Sequence, residues 1–138
     1  MKKFLFSAAV VLSLTACLKT KDYPPDERVL VTISFANVNT PDTVKTTDTV
    51  VTRLRITAPD QCYRYEGLDT RNSGPNQFDI QAIGSKPNPA LPLPTCDPFP
   101  YSKDTTFKFR LTTPGKYTLR YYNGTTLMQA DTLVMVPN

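Results

Sequence analysis

The sequence predicts an all-β fold, an antiparallel β-sandwich of about seven strands, and three observations carry that expectation. Beyond residue 28, apolar residues recur at every second position through most of the runs, the period of a strand with one face buried. No window sustains a helical period. Turn-forming pairs and isolated prolines separate the runs, and the runs themselves are rich in Thr, Val and aromatic residues, which pack well on a pleated surface.

In chain order, Val29, Val31, Ile33 and Phe35 alternate with Leu30, Thr32 and Ser34. Val50, Thr52, Leu54 and Ile56 alternate with Val51, Arg53, Arg55 and Thr57. Tyr63 and Tyr65 sit among Cys62, Arg64 and Glu66, and Phe78, Ile80 and Ala82 alternate with Asp79 and Gln81. Phe107, Phe109 and Leu111 alternate with Thr106, Lys108 and Arg110, and Tyr117, Leu119 and Tyr121 with Lys116, Thr118 and Arg120. Residues 125–136 close the chain as one long strand or a bulged pair. Asn123-Gly124 is read as a type I′ hairpin turn, whose two central residues need positive φ. Pro114-Gly115 marks a further turn, and Pro41, Pro59 and Pro75 fall between runs.

At 138 residues the chain has room for one ordinary domain, assigned to residues 29–138. Hydrophobic residues make up 40% and charged residues 20%, a globular balance rather than a disordered one. The net charge is +4. Lys2 and Lys3 belong to a leader, and without them about +2 remains, too mild to select an anionic partner. Histidine is absent, and tryptophan as well. The missing histidine removes the commonest general base together with the commonest transition-metal ligand.

The first sixteen residues read as an address. Lys2 and Lys3 give a positive start, and residues 4–14 form an apolar stretch shorter than the roughly 20 residues that span a bilayer. The stretch ends in Leu14-Thr15-Ala16-Cys17, which resembles the bacterial lipobox. That resemblance implies a signal peptide over residues 1–16, cleavage before Cys17, and palmitate-type acyl chains on Cys17 as a membrane anchor. Two or three chains hold firmly, since each buried methylene adds about 0.8 kcal/mol. Residues 17–28 are polar, charged and broken by Pro24-Pro25, a semi-extended tether. Leu18, rather than aspartate, follows the cysteine. Under the enterobacterial sorting rule this implies the outer membrane, and the tether also resembles those of small Bacteroidota outer-membrane lipoproteins. Periplasmic and surface-exposed leaflets both stay open.

Phe107 to Leu111, then Pro114-Gly115-Lys116-Tyr117 and Leu119, resemble the E–F corner of immunoglobulin-like domains. The resemblance implies that the Tyr117 hydroxyl bonds back to backbone near residues 111–115, with its ring in the core beside Phe107, Phe109 or Leu119. The tryptophan and cysteine spacing of antibody domains are missing, and a transthyretin-like or other strand order stays open.

With Cys17 assigned to lipid, Cys62 and Cys96 are left as an even pair in an oxidising compartment. A bridge closes a loop of about 35 residues and stabilises by roughly 3.8 kcal/mol on loop entropy. Two buried free thiols are the alternative. A catalytic thiol is disfavoured by the lack of Cys-x-x-Cys spacing and of any activating histidine. Six prolines (87, 89, 92, 94, 98 and 100) crowd the segment between Gly84 and Asp104, making it a long extended loop. Leu91, Leu93, Phe99 and Tyr101 on it either cover a sheet edge or contact a partner.

Arg53, Arg55, Lys108 and Arg110 fall on outward positions of two runs that neighbour each other in an immunoglobulin-like order. They form either a solvated face or a patch for an anionic glycan, lipopolysaccharide phosphate or acidic protein. No nucleic-acid motif accompanies them. The carboxylates Asp60, Glu66, Asp69, Asp79, Asp97 and Asp104 show no glycosidase pairing, and Asp42 and Asp48 lack calcium-loop spacing. The expectation is a non-catalytic, cofactor-free and metal-free envelope protein, membrane-held by its lipid, that binds or supports a protein or glycan partner. An accessory subunit of an outer-membrane assembly and a carbohydrate-binding module, with Tyr122, Phe99 and Tyr101 as its exposed aromatics, are the alternatives.

Overall fold

A computed structural model describes residues 27–138. The signal peptide, Cys17 and the tether as far as Asp26 lie outside the described residues. Eight strands form: β1 (Arg28–Asn39), β2 (Thr43–Lys45), β3 (Val50–Ala58), β4 (Arg64–Gly74), β5 (Gln77–Pro87), β6 (Tyr101–Phe109), β7 (Gly115–Asn123) and β8 (Thr126–Val136). No helix occurs among the described residues. The strands follow one another as β2-β8-β7-β5-β1-β3-β6, with β4 on the other side of β5, and this path curls into a half-barrel.

The clearest local cause is β3. Val50, Thr52, Leu54, Ile56 and Ala58 are buried while Val51, Arg53 and Arg55 are exposed, so period two alone fixes which face turns inward. The inner residues of β3 meet Ile33, Phe35 and Val38 of β1, Ile80 and Ala82 of β5, Tyr117, Leu119 and Tyr121 of β7, and Leu133 and Met135 of β8. Thr52 is a fully buried polar residue in this core. Its hydroxyl donates to Thr40 Oγ1 at 3.4 Å, and that oxygen lies 3.0 Å from the Tyr121 hydroxyl, so the buried hydroxyls satisfy one another.

β1 changes partners along its length. Arg28 to Ile33 pair with β5, and Ser34 to Asn39 pair with β3, with a register shift between Phe35 and Asn37. Where β1 departs from β5, the Asn123 side chain takes over: its Oδ1 accepts the Phe35 N–H at 2.7 Å and its Nδ2 donates to the Phe35 carbonyl at 3.1 Å. The amide thereby stands in for a neighbouring strand and satisfies both backbone groups of Phe35. Close approach at the other end depends on Gly84. A β-carbon there would lie 2.6 Å from the Arg64 carbonyl oxygen and 2.8 Å from Ile33 Cγ2.

The sheet is mixed rather than wholly antiparallel, because β5 pairs with β7, and β2 with β8, in parallel. The cause is connectivity: β6 lies away from β5 and β7, paired with β3, so the chain reverses twice before returning beside β5. The sequence-level strands are found, with two additions. The three-residue β2 is too short to show a period, and the run around Tyr65 continues as β4 to Gly74. Residues 126–136 form one strand, and the irregularity lies opposite, between Tyr121 and Tyr122 of β7.

The expected type I′ turn does not form. Asn123 pairs with Thr126, so Gly124 and Thr125 are central, and of these Gly124 alone has positive φ, at 61°. Glycine first in a two-residue loop is the type II′ arrangement, and it leaves Asn123 extended for its bond to β1. The Tyr117 hydroxyl donates to the Thr113 carbonyl at 2.9 Å, the backbone corner bond expected from the sequence. Its ring stacks on Phe78, with centroids 6.4 Å apart, a partner that sequence spacing did not indicate.

Candidate functional site

Cys62 and Cys96 are joined in a disulfide, with Cα atoms 5.4 Å apart. The bridge ties the proline-rich segment to the β3–β4 connection, and hydrogen bonds reinforce it. The Gln61 N–H donates to the Asp97 carbonyl at 3.1 Å, and Gln61 Nε2 donates to the carbonyls of Phe99 and Pro100 at 3.2 and 2.7 Å. Asp60 lies beside both cysteines. Because the two sulfurs are bonded to each other, a single carboxylate is the only donor left there, which does not make a metal site.

The four apolar residues singled out on this segment separate into two kinds. Leu93 and Phe99 are 65% and 70% exposed, and Leu91 is half-buried. Tyr101 differs from these three: it begins β6, packs partly buried against the core cluster, and its hydroxyl accepts the Tyr65 N–H at 3.3 Å. It buttresses β6 against β4.

Arg53, Arg55, Lys108 and Arg110 are all exposed, and β3 and β6 are neighbours in register, with Arg53 opposite Thr106 and Val51 opposite Lys108. The expected four-cation patch is nevertheless smaller. Arg55 lies opposite Asp104 and forms a forked pair with it, Nε to Oδ1 at 2.7 Å and Nη2 to Oδ2 at 3.0 Å. The hydrogen bond from Arg55 holds the Asp104 carboxyl below the usual carboxylate range. Arg110 turns to the β2–β3 loop, donating to Thr49 Oγ1 at 3.4 Å and the Thr47 carbonyl at 3.2 Å. The side chains of Arg53 and Lys108 make no hydrogen bond or ion pair among the described residues. Beside them runs a shallow groove of about 560 Å³ lined by Asn37, Asn39, Arg53, Arg55, Asp104 and Thr106.

A second polar area, which sequence reading missed, lies on the outer face of β4, β5 and β7. Arg120 forks onto Asp79 at 2.7 and 2.9 Å, and Ser73 Oγ donates to the same carboxylate at 2.9 Å. The Arg120 guanidinium lies 5.6 Å from the centroid of the Tyr122 ring. Asp69, Arg71, Asp79, Gln81 and Tyr122 line a depression of about 330 Å³. The hydrogen bond from Arg120 pushes Asp79 below the ordinary carboxylate value, the opposite of what a general acid needs. Cross-strand pairing between residues 79 and 120 assembles this cluster, and nothing local in sequence announces it.

No family model, curated protein or solved structure matches this chain.

Proposed function

We propose that this is a non-catalytic lipoprotein of the bacterial cell envelope, held in the outer membrane by acyl chains on Cys17, whose β-domain binds or supports a protein or glycan partner. The observation that carries the binding half of this reading is the outer face of β3 and β6. There Arg53 and Lys108 stand without counter-charges, while Leu93 and Phe99 are exposed on the connection that leads into β6. Uncompensated cations toward one end of β6, with exposed apolar side chains on the connection at its other end, suit an extended acidic partner with an apolar anchor. The lipobox-like Leu14-Thr15-Ala16-Cys17 supports the anchoring half. An immunoglobulin-like kinship for the domain is part of the same reading, supported by the Tyr117 corner, with the parallel β5–β7 pairing as its departure from that order.

Mass spectrometry of the native protein should find Cys17 acylated at the mature N-terminus. A secreted form with a free Cys17 would remove the anchor. Photo-crosslinking groups at positions 53 and 99 should capture one reproducible envelope partner in intact cells, and capture no greater than from position 116 would remove the binding face. The Tyr122 depression favours a second reading, a carbohydrate-binding module, because an aromatic ring beside carboxylates and an amide suits a sugar. Glycan binding that Tyr122→Ala abolishes would decide for it. Stable co-purification with an outer-membrane complex would specify an accessory subunit.

A further inference from the structure

The half-barrel has two long strands paired on one side only, and their edges are built differently. Among the described residues, β4 pairs only with β5, and β6 only with β3. The β4 ladder is interrupted twice, between Tyr65 and Gly67 and between Asn72 and Gly74. Such bulges twist an edge and spoil its row of hydrogen-bonding groups. β6 carries neither a bulge nor a proline, and it keeps unbroken register with β3 from Tyr101 to Phe109.

An inward-pointing charge also protects an edge, and Lys103 does so at one end. It lies opposite the buried Ile56, with its ammonium 5.3 Å from the centroid of the Tyr65 ring. From Thr105 on, the inward residues Thr105, Phe107 and Phe109 are uncharged and only half-buried. The two phenyl rings lie 4.8 Å apart, centroid to centroid. They border a mostly apolar cleft of about 190 Å³, completed by Thr70, Phe78, Ile80, Leu111, Leu119 and, at its rim, Arg110. On the outward side the same stretch carries Lys108, with Arg110 beyond it and Arg53 on the adjoining strand. A β6-to-β6 pair of two copies centred on this stretch would gather the Lys108, Arg110 and Arg53 of both copies on one face, which disfavours self-pairing there.

We propose that β6 is completed by an extended segment of another protein in which apolar and acidic residues alternate. The apolar side chains enter the cleft beside Phe107 and Phe109, and the acidic ones lie beside Lys108 within the field of Arg53 and Arg110. Main-chain hydrogen bonds along the open edge supply affinity, and the two sets of side chains supply specificity. This rests on the partner-binding reading above and adds to it an edge, a docking mode and a chemistry.

The probe is a fluorescent peptide of alternating valine and glutamate, as long as β6, titrated onto the full chain in detergent. Binding should protect the amides of residues 105–109 from hydrogen exchange. Lys108→Glu, an exposed substitution that spares the core, should weaken it about tenfold. Of two further peptides, one methylated on its valine nitrogens and one on its glutamate nitrogens, one should lose binding because its N–H groups face β6. Equal binding by both, equal binding by a valine–lysine peptide, or no protection of residues 105–109 would overturn the proposal. If crosslinking at positions 53 and 99 still captures a partner while the peptides fail, strand addition falls and the partner-binding reading survives. If both fail, both fall.

Discussion

Two connections carry the chain away from the β5–β7 pair and back, and they are held by different physics. The outward one, residues 88–100, is long, proline-rich and mostly exposed. A disulfide, the hydrogen bonds of Gln61 and a link from the Asn88 N–H to the Glu27 carbonyl at 2.9 Å hold it in place. The return, residues 110–114, is short and closes on Tyr117, which is 6% exposed, stacked on Phe78 and bonded to Thr113. A segment whose prolines cannot donate to a ladder buries little and is fixed by a crosslink acting largely on the unfolded chain. A corner with one large aromatic is fixed by burial in the native state. Leu93 and Phe99 are left exposed for the same reason that the outward connection needs its staple.

Substitutions at the two connections should separate these mechanisms. Tyr117→Ala should cost the most, on the order of 3–5 kcal/mol, through the cavity it leaves and the lost corner bond. Denaturant melts measure it, and a cost below that of the disulfide would place the corner outside the core. Replacing Cys62 and Cys96 together by serine should cost somewhat less, up to about 3.8 kcal/mol. If the crosslink acts mainly on the unfolded chain, the denaturant slope should rise as the midpoint falls.

Tyr117→Phe isolates the hydroxyl and should cost about 1 kcal/mol, since it orphans the Thr113 carbonyl while keeping the ring. Tyr122→Ala, on the outward side of the same strand, should cost about 0.5 kcal/mol or less. A larger loss there than at Tyr117 would reverse the inside and outside of β7. Alkaline titration has no effect at neutral pH and acts on Tyr121 and Tyr65, whose pKa values burial raises above 10.0. Both are neutral in the fold, and the unfolded chain ionises first. Their contribution is complete below pH 10 and is lost as pH climbs through the raised values, so Tyr121→Phe should flatten the loss.

Much of the half-barrel is legible in sequence where one face is dry and the other wet. β3 alternates without a fault, and β7 carries Tyr117, Leu119 and Tyr121 on one face with Lys116 and Thr118 on the other. β4 was legible only at its start. Beyond Leu68 its residues are mostly exposed, and two bulges break the period, so no alternation survives to be read. β2 has three residues, too few to show any period. The basic positions were legible as outward-facing, while the neutralisation of Arg55 by Asp104 depends on a register 49 residues apart in sequence.

The sequence by itself determined the strand class and the inward set of residues, because both follow from local period; the resemblance to an immunoglobulin-like corner pointed to Tyr117, and the expected assignment of Cys17 to lipid left one cysteine pair. Only the tertiary structure decided which strands run parallel, where β1 changes partners, which cations keep their charge uncompensated and which edge lies open. Those outcomes depend on strands meeting across long stretches of chain, where register is set by the packed core as a whole and by no residue's immediate neighbours.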